Sequence, residues 1–288
     1  MDISVVTPFY KGNAYMRQLF GCIRAAALAV PEARIELLLV NDSPECPIVY
    51  EEEWVRGFTL RVLENGVNSG IHQTRVNGLR QAKGEFVWFL DQDDLLSENA
   101  FSSMLAMAEK ADVIVGNGFD QNPNSYGPIY KTIRHQQQAA LPRFHYSIGN
   151  QIVSPGHCMI RRSVIPESWC ENIVRRNGSD DLLLWLLLFH TGCQWAVNFN
   201  QLYTHVDTGV NVSANVAKMA DSSMEVLDIL KKLDAITPEQ TRRFLRSRAL
   251  AAAAAGKGTF GKLTAMLRYP DVALEKFRLR KYRQEGNA

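Results

Sequence analysis

The chain has 288 residues, is 46% apolar and 22% charged, and carries a formal net charge of +2. That length and balance fit one large α/β domain, or one domain with an appendage, and the near-zero charge gives no bias toward nucleic acid. Five scattered cysteines, Cys22, Cys46, Cys158, Cys170 and Cys193, form no CxxC pair, which argues against a disulfide scaffold and for a reducing compartment. Residues 1–8 show no basic region ahead of a long apolar run, so no signal peptide is expected. The richest apolar segment, residues 182–189, is too short to span a bilayer. These features together predict a cytoplasmic protein.

Residues 3–7, a β-branched run stopped by Pro8, predict a first buried strand. Gly12 and Asn13 turn the chain, and Asn13 is placed to cap a helix reaching about residue 29, with Met16, Leu19, Phe20, Ile23 and Ala27 at helical spacing. Residues 35–40 predict a second strand that stops at Asn41-Asp42-Ser43-Pro44. A short helix near 48–56, a third strand over 58–63 and a loop over 65–70 follow. A helix then runs from Ser69 or Gly70 to about residue 82, with Gly84 as its C′ glycine. Residues 86–90 predict the central strand, Ser97 caps a helix to residue 110, and 112–115 form a fifth strand. Short strands alternating with helices predict a mostly parallel sheet with right-handed crossovers. Between 116 and about 151 neither period holds, which predicts a long functional or mobile loop. Residues 158–160 predict a strand. Ser179 caps an apolar helix over 180–191, ended by Gly192, and a strand over 202–206 leads into a polar loop over 207–213. The remainder is helical, over about 214–233, 238–255 and 259–284.

The chemistry concentrates where the central strand ends. Five apolar residues, Phe86 to Leu90, are followed by Asp91, Asp93 and Asp94. Unpaired carboxylates cannot stay inside a buried strand, so they belong at its C-terminal edge, where open α/β sheets bind ligands. Asp91 and Asp93 are two apart and would face one way in an extended segment, a pair suited to a hard divalent cation. Thr7-Pro8 with Tyr10, and Asp42, end the neighbouring strands on the same edge. Asp42 alone also reads as ordinary turn chemistry.

These pieces, in this order, resemble glycosyltransferase family 2, the inverting nucleotide-sugar enzymes of the GT-A fold. Ser4-Val5-Val6-Thr7-Pro8-Phe9-Tyr10 resembles the opening strand SVIIPVYN, with Lys11 where Asn is common. Leu39-Val40-Asn41-Asp42-Ser43 resembles the VDDGS turn and keeps its second acid. Asn68-Ser69-Gly70, Thr74-Arg75-Val76-Asn77-Gly78 and Ala82-Lys83-Gly84-Glu85 resemble NxGxxxARNxGxxxAxGEY. Phe89-Leu90-Asp91-Gln92-Asp93-Asp94 resembles FLDSDD, the DXD motif. The match is ordered over about residues 3–95 and looser to about 213; the helical tail lies outside it.

The resemblance implies a GT-A domain over 1–213, with a nucleotide-sugar half to about 116 and an acceptor half beyond it, and a helical extension over 214–288. It places Thr7, Pro8, Tyr10, Asp42, Asn68, Gly70, Arg75, Asp91 and Gln92 around the donor, most simply a UDP-sugar. Asp93 and Asp91 would hold Mn²⁺ or Mg²⁺, and Asp94 would contact donor sugar or cap the next turn. Ser179-Asp180-Asp181-Leu182 resembles the family's ED motif, with Asp for Glu and without its usual Arg; Asp181 falls on the catalytic base and Asp180 on the acid before it. Acids here would equally suit a helix N-terminus through its dipole. Tyr203-Thr204-His205, continuing to Asn211 and Ser213, resembles YRxHxxNxS, so His205 reads as a metal or diphosphate ligand or as a satisfied strand-end histidine. His157, His135 and His145 are candidates near an acceptor or its lid.

The implied activity is metal-dependent, inverting transfer of a sugar to a glycan or lipid-linked acceptor, with surface-polysaccharide or glycoconjugate synthesis as the family's common setting. A nucleotidylyltransferase would want a Gly-rich, Arg-containing loop after the first strand, and a dinucleotide dehydrogenase would want GxGxxG; neither is present. An inactive sugar-nucleotide-binding or scaffold protein of the same fold is the non-enzyme alternative. The basic tail, with Lys257, Lys262, Arg268, Lys276, Arg278, Arg280, Lys281 and Arg283 among apolar residues, reads either as a peripheral membrane face or as a solvated helix face.

Overall fold

The strand-forming runs assemble into one nine-stranded sheet. The computed structural model describes residues 1–176, 178–209 and 216–284, the last with side chains from 219 onward. β1 (Ile3–Phe9) pairs in parallel with β2 (Ile35–Asn41) and β4 (Phe86–Phe89), and β2 pairs in parallel with β3 (Thr59–Glu64). β8 (Cys158–Arg161) lies antiparallel between β4 and β6 (Val113–Asn122). β9 (Trp195–Val206) runs parallel to β6, β5 (Leu95–Leu96) closes the far edge against β9, and β7 (Ser125–Pro128) makes a hairpin with β6. The order β3-β2-β1-β4-β8-β6-β9-β5 is thus parallel in its first four strands, as expected, and mixed beyond them.

Alternation along the strands sorts the core onto two faces. Ile3, Val5, Leu37, Leu39, Phe86, Trp88 and Ile114 meet α1 (Met16–Leu28) and α3 (Ala100–Leu105). Val6, Leu38, Val87, Phe89, Val113 and Ile160 meet α2 (Ile71–Gln81) and α7 (Asp180–Thr191), backed by α8 (Val216–Lys232) and α9 (Pro238–Ala254). α10 (Thr259–Arg268) and α11 (Pro270–Gln284) complete the tail. Among the described residues no helix is long and apolar enough to cross a membrane. The expected loop positions 210–213 and helix start at Ala214 lie outside the described residues.

Several local expectations are corrected. The segment 116–151 is ordered structure: β6 runs on to Asn122 and turns into β7, and α4 (Ile133–Ala139) and α5 (Pro142–Ser147) follow. Six- and seven-residue helices are too short to display a period, and remote contacts hold them. Gln136 Nε2 donates to the carbonyls of Val115 and Asn198 (2.9 and 2.7 Å), and the Asn117 amide donates to the Tyr130 carbonyl (3.0 Å). Asn13 caps no helix; its side chain bridges the Pro47 carbonyl and the Val49 N–H. The helix expected from Ser97 starts at Ala100, and the one expected near 48–56 is a 3₁₀ turn, Glu52–Val55. Gly84 is no C′ residue: a Cβ there would stand 2.6 Å from Ser4 N, and its N–H donates to Ser4 Oγ.

Candidate active site

The parallel strands bring Thr7-Pro8, Asp42 and Asp91 to one edge of the sheet. Thr7 Oγ1 is buried with no hydrogen-bond partner among the described residues, and the Tyr10 ring is half exposed. Asp42 faces inward. Its Oδ1 accepts from the Asn65 amide (2.8 Å) and Ser69 N–H (2.6 Å), and its Oδ2 from Gly70 N–H (2.9 Å). It therefore shapes the loop entering α2, where Gly70 takes φ +82° and Asn68 Oδ1 accepts from Gly70 N–H. Gln92 is also occupied internally. Its Oε1 accepts from Tyr10 N–H (3.0 Å) and its Nε2 donates to the Tyr10 carbonyl (3.2 Å). Gly12 leaves room for that clamp, since a Cβ there would lie 2.0 Å from Gln92 Oε1. Gln92 thus positions Tyr10 and spends its own amide doing so.

Arg75, on α2, is the hinge between the two acidic motifs. Its guanidinium is buried and donates to Asp91 Oδ1 (2.5 Å) and to Asp180 Oδ2 (2.7 Å). Burial alone would lower the pKa of Arg75, but the two carboxylates hold it well above its ordinary value. Burial would likewise raise Asp180, yet Arg75, and after it His72, keep that carboxyl below its usual range. The ion pair locks the start of α7 against the end of β4. It makes Arg75 and Asp180 positioning groups that tie the two acidic motifs together. His72 lies three residues before Arg75 on α2, is buried, and accepts the Val174 N–H at Nδ1 (2.9 Å). Its spacing from Arg75 is the signal in the sequence, since i and i+3 share a helix face.

The three acids after β4 sit on a turn closed by Asp94 N–H to the Asp91 carbonyl (3.2 Å), not on an extended segment. Their fates differ. Asp91 is neutralised by Arg75. Asp94 is buried and accepts from the Tyr203 hydroxyl, from His205 Nδ1 (3.2 Å) and from Val206 N–H (3.0 Å), so it ties the turn to β9. Burial works against a charge on His205, but the bond to Asp94 raises it to about 9. Among the described residues Asp93 has no such partner, and burial with the charges of Asp94 and Asp91 pushes it up to about 7. A hard cation would favour the ionised form that burial and the neighbouring acids disfavour, so Asp93, with Asp91 beside it, fits a divalent metal. The geometry assigns His205 to Asp94, and the described residues contain no group of three or more His, Cys, Asp and Glu poised as ligands.

Asp181 is half-buried at the start of α7. Its Oδ2 accepts from the Asn150 amide (2.7 Å) and its Oδ1 from Leu182 N–H (2.7 Å). Burial, and then the Asp180 charge, push its carboxyl up to about 7, which is the range that suits a general base at neutral pH. Asn150 carried no sequence signal, because only the fold brings it to Asp181. The other histidines leave the candidate list. His157 is buried with Nδ1 on the Gly116 carbonyl (2.9 Å), His145 with Nε2 on the Ala139 carbonyl (2.8 Å), and His135 accepts from Arg283 Nε (3.2 Å). Burial pushes all three down to about 4, so they are neutral core residues, not parts of a lid.

A parallel βα half with a polar crevice at its strand ends, facing acids delivered by a later helix, defines an α/β ligand-binding class of fold. A family model described as Glycosyl transferase family 2 matches residues 4–169, more than half of the chain, and the chain belongs to this family. It is 30% identical over 125 residues to the minor teichoic acid biosynthesis protein GgaB of Bacillus subtilis, covering 43% of this chain and 12% of that one. It is 27% identical over 130 residues to the glycosyltransferase GlyG of Streptococcus pneumoniae, covering 43% and 42%. The aligned stretch is therefore less than half of either relative. Its fold matches that of S. aureus TarS 1–349 in complex with UDP-GlcNAc, with a TM-score of 0.64 and 16% identity over 94% of this chain and 81% of that one.

Proposed function

We propose that this chain transfers a sugar from a nucleoside-diphosphate sugar, most simply a UDP-sugar, to a hydroxyl of a surface glycan or lipid-linked acceptor, with inversion at the anomeric carbon. The observation that carries this is the Arg75 bridge: it fastens Asp180, and so the neighbouring Asp181, to the acidic turn after β4. Base and leaving-group site are thereby held as one unit. The acceptor oxygen attacks the anomeric carbon as Asp181 takes its proton, and the bond from that carbon to the diphosphate oxygen breaks with its electrons leaving on the nucleoside diphosphate. Thr7, Pro8 and the Tyr10 ring line the nucleoside side of the crevice. A divalent ion on Asp93 and Asp91 would supply Lewis-acid neutralisation of the diphosphate. The UDP-GlcNAc in the TarS structure and the teichoic acid role in the name of GgaB support the donor and acceptor classes.

Asp181→Asn tests the assignment. UDP release from UDP-GlcNAc with a surface-polysaccharide acceptor should fall by roughly 10²–10⁴-fold, while calorimetric affinity for UDP stays unchanged. Transfer within tenfold of wild type would remove Asp181 as the base.

A further inference from the structure

The last two helices bury Ala265, Val272 and Leu279 and expose most of their other large apolar side chains. In α10 the buried contact is Ala265, which packs with Leu250 and Val272. Phe260, Leu263 and Leu267 are 79%, 54% and 73% exposed. Positions i, i+3 and i+7 share one face, so α10 presents an apolar stripe away from the side that holds it. α11 repeats the pattern: Val272 and Leu279 are buried, while Leu274 and Phe277 stand exposed. Contiguous exposed apolar surface of this kind marks an interaction site.

Charge says what covers it. Residues 257–284 hold eight Lys and Arg against two acids, in a chain whose net charge is only +2. Both acids are already engaged, Asp271 with Arg246 and Glu275 with Arg143 and Arg278. Lys257, Lys262 and Arg268 are exposed at and around α10. A second copy docked through the same face would set this charge against itself. Basic residues around exposed Phe and Leu are the composition of a helix that lies in an anionic membrane interface. We propose that α10, backed by α11, docks this chain on an anionic lipid surface, with Phe260, Leu263 and Leu267 entering the acyl boundary and the basic side chains meeting headgroup phosphates. This rests on the tail surface alone and stands whether or not the transfer reaction above is correct.

The test is flotation of the full chain with vesicles of phosphatidylcholine, with and without about a third phosphatidylglycerol, composition being the variable to which such helices respond. The chain should float with the anionic vesicles, at least about tenfold more than with neutral ones, and should release in high salt. Each basic residue near such a surface is worth roughly fivefold, so Lys257→Ala with Lys262→Ala should lower partitioning on the order of twentyfold. Phe260→Ser with Leu267→Ser should abolish flotation without moving the melting temperature, because both side chains are exposed. No flotation of wild type, or equal, salt-insensitive flotation with neutral vesicles, would overturn the proposal. So would a wild-type oligomer that the serine pair turns into a monomer while flotation persists, which would give the face to a second copy.

Discussion

Replacing Arg75 with methionine keeps much of its volume and removes its charge. Asp91 is about a quarter exposed and can rehydrate, but the Asp180 side chain is only 4% exposed and cannot. Stranding one partner of a buried pair costs about 3–5 kcal/mol. Proton uptake sets an independent ceiling: neutralising an ordinary carboxyl at pH 7 costs about 4 kcal/mol, and at pH 5 only about 1.5 kcal/mol. The two routes agree at neutral pH, so Arg75→Met should lose about 4 kcal/mol at pH 7 and no more than about 1.5 kcal/mol at pH 5. The sign follows from linkage. In wild type the Asp180 pKa is depressed, so its contribution is present above the unfolded carboxyl pKa and is lost as pH falls through the folded one. In the variant the stranded acid is raised, so stability improves on acidification from pH 7 to 5. Urea denaturation at both pH values measures this, and adding Asp180→Asn should restore much of the loss. A penalty under about 1 kcal/mol at pH 7, or one constant across this range, would refute the buried bridge.

Other outcomes follow from the same geometry. The acid limb of the kcat/KM profile should show an apparent pKa of about 7, from Asp181. Asn150→Ala removes a donor to the ionised form and should move that limb upward in pH; an unmoved limb in steady-state assays would detach Asn150 from the base. Gly12→Ala places a methyl 2.0 Å from Gln92 Oε1, so the Tyr10 clamp must open. The atom displaced is the end of a flexible, partly exposed side chain, so the fold itself should be little disturbed, while UDP affinity should fall by roughly tenfold as the Tyr10 loop loosens. Calorimetry with unchanged affinity would show that Tyr10 stands clear of the nucleotide.

The N-terminal half was legible because its signals are local. Short apolar runs ending at Pro8, Asp42 and Asp91 place three strand ends on one edge whatever the rest of the chain does. The roles of those residues were less legible, since they depend on partners far away in sequence. Asp42 turns inward to Ser69 and Gly70, Gln92 is taken up by Tyr10, and Arg75 reaches Asp180 across more than a hundred residues. The family match ends at residue 169, before Asp180 and Asp181. The proposal of Asp181 as base therefore rests on geometry: the Arg75 bridge and the position of Asp181 at the start of α7. The segment 116–151 hid its structure for a related reason, because its short helices are specified by contacts with Val115, Asn198 and the tail. His205 carried a motif that the fold spends on Asp94.

The most direct test of a nucleotide-sugar site at this edge is a thermal shift of wild type and Asp93→Ala with UDP, GDP, dTDP and CDP, each with and without Mn²⁺. A ligand that binds only the native state must raise the melting temperature. The site described here predicts stabilisation by one nucleotide, dependent on the metal and lost in Asp93→Ala. No shift with any nucleotide at millimolar concentration, or a shift that persists in Asp93→Ala without metal, would contradict it.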